Sequence, residues 1–156
     1  MSEESDTYYL TKEKLKDLKE EREYLMNEKK SEVADKIHEA KQLGDLSENA
    51  SYKAAKEEMR ETMARIDELK EVIDNAEVIE EKKNAEEIDL GTSFIVEING
   101  NQKEYELLGS QEAEPTKGKI SNESPLGSAF IGAKEGSEVE VETPSGVQTY
   151  EIIKIK

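Results

Sequence analysis

At 156 residues the chain has room for one ordinary domain or two small ones, and a balance of 34% hydrophobic to 38% charged residues excludes a single apolar-rich globule. A net charge of −16 argues against broad electrostatic wrapping of nucleic acid, which needs clustered Lys and Arg, and favours a basic partner surface. The absence of cysteine excludes thiolate catalysis, disulfides and Cys-ligated zinc. The acidic start Met-Ser-Glu-Glu-Ser-Asp lacks the apolar run of a secretory signal, and no stretch reaches membrane-spanning length. A cytoplasmic location is expected.

Tyr8, Tyr9 and Leu10 follow the acidic start as contacts for another part of the fold. Thr11 is the expected N-cap of a first helix, with Glu13 facing the positive end of its dipole. Lys14 stands where a capping box would have Glu, so the box is incomplete. From there to Leu43 the chain has neither Gly nor Pro. A seam runs through Leu15, Leu18, Arg22, Leu25, Lys29, Val33, Ile37 and Ala40, in steps of 3, 4, 3, 4, 4, 4 and 3. That is a heptad stripe with an inserted stutter. Arg22 and Lys29 are expected to bury their stems and keep their heads in water.

Gly44 can take the left-handed conformation that closes a helix, and Asp45, Ser47 and Asn49 are residue types that start one. The chain is therefore expected to turn back at 44–50. On spacing alone, Asp45-x-x-Glu48 reads as an N-cap with its capping-box acid. The other reading is chemical. Two carboxylates at the end of a thin rod reach where a globular domain cannot, and such oxygens suit Mg²⁺, although two acids do not complete an octahedral site.

The second helix has a cleaner seam in Tyr52, Ala55, Met59, Thr62, Ile66, Leu69, Ile73 and Ala76. Each helix carries one narrow stripe, so the two are expected to pack as an antiparallel hairpin over residues 1–79, roughly 45 Å long at 1.5 Å per residue. Lys53, Lys56 and Arg60 share a face behind the turn, with Lys36 and Lys41 on the other arm. They are either a solubilising surface or a local basic strip that attracts an anionic partner toward the acids. His38, the one histidine, reads as a surface residue.

Residues 77–87 read as a linker or fraying helix end, with 80–88 taken as the linker itself. Thereafter the period changes to that of strands. Ser93–Ile98 and Gln102–Leu108 flank an Asn99-Gly100 hairpin turn, and Glu138–Thr143 and Val147–Ile155 flank Pro144-Ser145-Gly146. Between the hairpins, Ser124 opens a short helix with Pro125 at its first position. The expected class is α+β, a helical hairpin followed by a small antiparallel sheet domain over 89–156.

Two stretches carry a family resemblance. Gly-Asp-Leu-Ser-Glu-Asn-Ala-Ser-Tyr-Lys-Ala-Ala-Lys-Glu, from Gly44, resembles the signature of the bacterial Gre transcript cleavage factors. Ser-Pro-Leu-Gly-Ser-Ala-Phe-Ile-Gly, from Ser124, resembles the most recognisable stretch of that family's C-terminal domain, which is similar to FK506-binding proteins. The resemblance implies a coiled coil that enters the secondary channel of RNA polymerase when the nascent RNA 3′ end has backtracked. It implies that Asp45 is a ligand of a weakly held Mg²⁺ shared with the polymerase, and that Glu48 orients or deprotonates the attacking water. Leu46 is implied to hold the turn, Ser47 and Asn49 to fix the tip and touch polymerase loops, and Ser124 and Pro125 to dock near the channel entrance. Lys56 departs from the family pattern, where Arg is frequent; charge is kept and bidentate phosphate contact is lost. By this resemblance the chain is no enzyme alone but stimulates the polymerase's own nuclease activity, with no membrane or small-molecule partner. The rivals are a cleavage-incompetent channel inhibitor of the same family, and an isomerase or holdase built on the sheet domain. The intact Asp-Leu-Ser-Glu-Asn opposes the first; six Tyr, two Phe and no Trp make an aromatic-lined proline pocket a poor expectation.

Overall fold

A computed structural model describes residues 7–45 and 49–156, and its fold is α+β. The chain begins with β1 (Tyr8–Thr11), then α1 (Lys12–Tyr24), a π-helical turn (Leu25–Lys29) and α2 (Lys30–Lys41). After the turn come α3 (Ala50–Asp74) and β2 (Ala76–Ile79). Strands β3 (Ser93–Ile98), β4 (Asn101–Leu108) and β5 (Lys119–Ser121), helix α4 (Pro125–Phe130), and strands β6 (Glu138–Thr143) and β7 (Gly146–Ile155) complete it. Contacts divide the chain into Leu15–Asn75 and a second unit that joins the residues through Lys14 to Ala76–Lys156.

In the helical unit the two seams meet. Leu18, Val33 and Ala40 are buried on the first arm, and Ala55, Thr62, Ile66 and Leu69 on the second; beyond Leu69 the buried residue is Val72, outside the expected seam, while Ile73 is only half-buried. Full burial of a Leu, Ile or Val side chain is worth about 1.5–3 kcal/mol, so these few positions supply most of the drive for pairing. The π turn lies at the stutter, and geometry explains why. At 3.6 residues per turn each four-residue step overshoots a straight stripe by about 40°, so Leu25, Lys29, Val33 and Ile37 would drift by about 120°. One wider turn with i→i+5 bonding, closed by Lys30 N–H on the Leu25 carbonyl, absorbs much of that drift. Arg22 differs from expectation: its Nε is buried without a hydrogen-bond partner rather than held in water.

In the second unit, a five-stranded sheet runs β5-β4-β3-β7-β6, antiparallel except for the β4–β5 pair. Asn99 and Gly100 both have positive φ (52° and 78°), as a two-residue primed turn requires. Alternation buries Phe94, Val96 and Ile98 of β3 against Tyr105 and Leu107 of β4, and Tyr150 and Ile152 of β7. Phe130 from α4 lies edge-on to Phe94 and Tyr150, with ring centroids 5.1 and 5.4 Å away. Gly127 lets α4 sit directly on β5, because a Cβ there would lie 1.8 Å from the Ser121 carbonyl oxygen.

The expected linker is neither a linker nor a frayed helix. Ala76–Ile79 forms β2, parallel to β1 with Leu10 opposite Val78, and Leu10 is 0% exposed. Within 80–88, Lys82 bridges to Thr92, Asn84 N–H donates to the Lys156 carbonyl at 3.0 Å, and Ile88 is fully buried. The helix ends at Asp74, so Ala76, the last member of the expected seam, belongs to a strand. Four residues of mixed polarity carry too little pattern to announce a strand whose partner lies far away in the sequence. β5 escaped the pattern because its three residues carry still less.

Thr11 caps α1 as expected, its Oγ1 accepting from Lys14 N–H at 3.2 Å. The acid missing from the capping box arrives from elsewhere in the chain. Glu112 accepts from Thr11 N–H at 2.8 Å and from Thr11 Oγ1 at 2.7 Å. Replacing Glu112 by Ala is expected to cost about 2 kcal/mol, since two bonds to a charged acceptor disappear from a part-buried site. Adding Lys14→Glu should recover part of that loss by completing the box locally, read as the midpoint of urea unfolding; no recovery would show that Glu112 does not serve as the missing box acid.

Candidate functional site

The turn between α2 and α3 is built by its flanking ends. α2 stops at Lys41; Gly44 follows with φ 124° and open space where a Cβ would stand. Leu43 is 73% exposed, and Asp45 is exposed. Leu46, Ser47 and Glu48 lie outside the described residues. α3 starts at Ala50 with Asn49 as its N-cap, whose Oδ1 accepts from Tyr52 N–H at 3.0 Å. The N-cap of α3 is therefore Asn49 and not Asp45; the capping-box reading of Asp45-x-x-Glu48 turns on Glu48, outside the described residues. Asn49 Nδ2 donates in turn to the Ala40 carbonyl at 2.6 Å. Both ends of this amide are thus engaged inside the hairpin, a pairing invisible in the sequence because its acceptor is a backbone atom.

Behind the turn, small residues keep the two arms close. Ala40 and Ala55 are buried, and a cleft of about 480 Å³ opens between Ala40 and Leu43 on one side and Ser51, Ala54 and Ala55 on the other. The basic strip is divided in its duties. Arg60 is bound through Nε and Nη2 to Glu57 on its own helix, so its charge is locally offset. Lys56 Nζ lies 5.3 Å from the centroid of the Tyr52 ring, a cation–π geometry, and Lys53 is exposed. Lys36 turns to Glu58 at 3.2 Å, as does Lys29 at 2.7 Å, so the arms are pinned together by one carboxylate between two ammonium groups. Further from the turn, Arg65 forks onto Glu21 at 3.0 Å through both Nε and Nη2. His38 Nε2 faces Gln42 Nε2 at 3.1 Å on the exposed surface.

The second candidate surface surrounds α4. Ser124 Oγ accepts from Gly127 N–H at 3.0 Å and donates to the Ser121 carbonyl at 2.7 Å, and Pro125 occupies the first turn. Pro125, Leu126, Ile120, Val141 and Tyr150 line an apolar groove of about 360 Å³. All three prolines of the chain, Pro115, Pro125 and Pro144, border it, while Tyr150 is its single aromatic wall. The other three clustered rings lie beneath, in the sheet core.

Two family models match the chain, "Transcription elongation factor, N-terminal" over residues 8–78 and "Transcription elongation factor, GreA/GreB, C-term" over 82–156. The chain belongs to the GreA/GreB transcription elongation factor family. Among relatives, it is 43% identical over 152 residues to transcription elongation factor GreA of Geobacillus kaustophilus, covering 96% of each chain. It is 38% identical over 148 residues to GreA of Thermotoga maritima, covering 94% of this chain and 95% of that one. Such similarity over nearly its full length makes it a GreA-type Gre factor. The crystal structure of GreA factor homolog 1 of Thermus thermophilus is 29% identical, with 97% of this chain and 99% of that chain covered and a TM-score of 0.42. The family models part at 78–82, whereas the contacts of this GreA-type chain assign β1, the first residues of α1 and β2 to the sheet unit.

The Glu58 pairing has a pH signature. Hydrogen bonds from Lys29 and then Lys36 hold the Glu58 carboxyl below the usual glutamate range, and the bond to Glu58 raises Lys29 above the usual lysine range. A depressed acid stabilises above its unfolded pKa and loses that contribution as pH falls through the folded value; a raised base loses its contribution as pH rises through the folded value. The difference in melting temperature between the wild type and Glu58→Gln should therefore be fullest at neutral pH. It should shrink below the ordinary glutamate range, shrink again above pH ~10.4, and narrow with salt. A difference constant with pH and salt would remove the ion pairs from the hairpin's stability.

Proposed function

We propose that this chain docks on RNA polymerase and presents the end of its helical hairpin to the active centre through the secondary channel, where it stimulates the polymerase's own Mg²⁺-dependent cleavage of backtracked nascent RNA. The observation that carries this reading is the position of Asp45, exposed between the end of α2 and the Asn49 cap of α3 in a chain of this family. Among the described residues no cluster of three or more His, Asp or Glu side chains could hold a metal ion. The acid pair suits a partial ligand set that the polymerase and the RNA phosphates complete. Magnesium bound there supplies charge neutralisation and an activated water.

In this arrangement Asp45 offers a hard carboxylate oxygen to the shared metal, and Glu48 orients the attacking water or takes its proton. Leu46, Ser47 and Asn49 meet polymerase loops. Lys53 and Lys56 steer the RNA 3′ segment, with Arg60 lending less because Glu57 already holds it. Ser124 and Pro125 present the rim of the apolar groove as the docking surface, a polar cap beside an apolar trough. The chain does not hydrolyse RNA alone, and it acts where the polymerase is, in the cytoplasm. Among the described residues no helix is long and apolar enough to cross a membrane.

The test is a stalled elongation complex with backtracked RNA. Wild-type protein should release the RNA 3′ fragment. Glu48→Gln should lower the rate by about 10²-fold, the lower range for a lost general base. Asp45→Asn should fall at least as far and recover partly with raised Mg²⁺. Cleavage by both variants at the wild-type rate would remove these residues from the chemistry.

A further inference from the structure

We propose that Asn49 is a positioning residue, an amide clamp that ties the last turn of α2 to the first turn of α3 and thereby fixes the two helix ends between which Asp45 and Glu48 stand in the sequence. The proposal rests on the function proposed above and assigns to Asn49 a definite pair of bonds, in place of the general tip-fixing role that the resemblance implies.

The ends of two helices meet at this side chain. The Ala40 carbonyl belongs to the last turn of α2, where carbonyls have no partner within their own helix. It accepts from Leu43 N–H at 3.1 Å and from Asn49 Nδ2 at 2.6 Å. Tyr52 N–H belongs to the first turn of α3, where amides are equally orphaned, and it donates to Asn49 Oδ1 at 3.0 Å. One planar group therefore serves both ends, and only Gln42 to Glu48 lie between α2 and this clamp.

Capping alone does not require Asn. Asp and Ser are comparable caps, and Asp has the additional attraction of a negative charge for the helix dipole. The donor is what separates them. Asp has no N–H to give and would set a carboxylate oxygen against the Ala40 carbonyl. Ser has a shorter reach. Position 49 therefore combines two demands, an acceptor toward α3 and a donor toward α2, that the side chain of Asn meets together.

Two acids that share a metal with another macromolecule must arrive in register with it, and a misplacement of about 1 Å can cost roughly 10²-fold in rate. The clamp supplies that register from behind the turn. The decisive variants are Asn49→Asp and Asn49→Ser, which keep the cap, and Asn49→Ala, which loses it.

Because the chain lacks cysteine, labels placed at Lys41→Cys and Ser51→Cys report the distance between the two helix ends in the free protein. The distribution should be narrow in the parent and broad in all three variants. The Tyr52 amide should stay protected from hydrogen exchange in the Asp and Ser forms and lose protection in the Ala form. With backtracked elongation complex, Asn49→Asp should lower cleavage at saturating factor by about tenfold or more. A narrow distribution with undiminished cleavage in Asn49→Asp would overturn the clamp. If instead Asp45→Asn cleaves normally, the proposed chemistry fails, and the label distances still decide the clamp.

Discussion

The hairpin depends on a single constraint: each helix has one narrow apolar stripe and nothing else to bury. Leu18 and Val33 on one arm and Ile66, Leu69 and Val72 on the other find cover only by facing across. Everything else on those helices is left to solvent and to charge pairs. The stutter shows how strictly the constraint acts, because the backbone widens into a π turn at Leu25–Lys29 rather than let the stripe rotate away. Toward the turn the stripe thins to Ala40 and Ala55. Small side chains there let two helices end close together.

A second theme is the double use of helix caps. Thr11, Asn49 and Ser124 each accept from a backbone amide two or three residues into their helix. Each also makes a further bond: Thr11 to Glu112, Asn49 to the Ala40 carbonyl, and Ser124 to the Ser121 carbonyl. A cap used this way specifies where a helix begins and what it is tied to. That economy suits a chain with few large hydrophobic residues, since a polar tie orients an element without enlarging a core.

The sheet unit divides its aromatic residues by role. Phe94, Tyr105 and Phe130 fill the core, and burial raises the Tyr105 phenol above its usual range. Tyr150 joins them and also reaches the wall of the proline-bordered groove. One aromatic face beside aliphatic walls makes a shallow apolar trough rather than a cage of rings.

Local chemistry made much of this protein legible in advance. Asn99-Gly100, the alternation of Glu138–Thr143, Ser124 before Pro125, and the two heptad stripes each state their structure within a few residues, because turn, strand, cap and stripe are short-range physics. The family signature around Asp45 was equally local. What tertiary structure alone decided are the pairings between distant residues: β2 on β1, Glu112 supplying the acid that position 14 lacks, and Ile88 buried in a stretch that looks like a tether. Asn49 shows the boundary between the two. Its residue type announced a helix start, but only the approach of the Ala40 carbonyl, nine residues earlier in the chain, turned a cap into a clamp. A backbone carbonyl has no identity in a sequence, so a bond to it becomes visible only when the chain has folded.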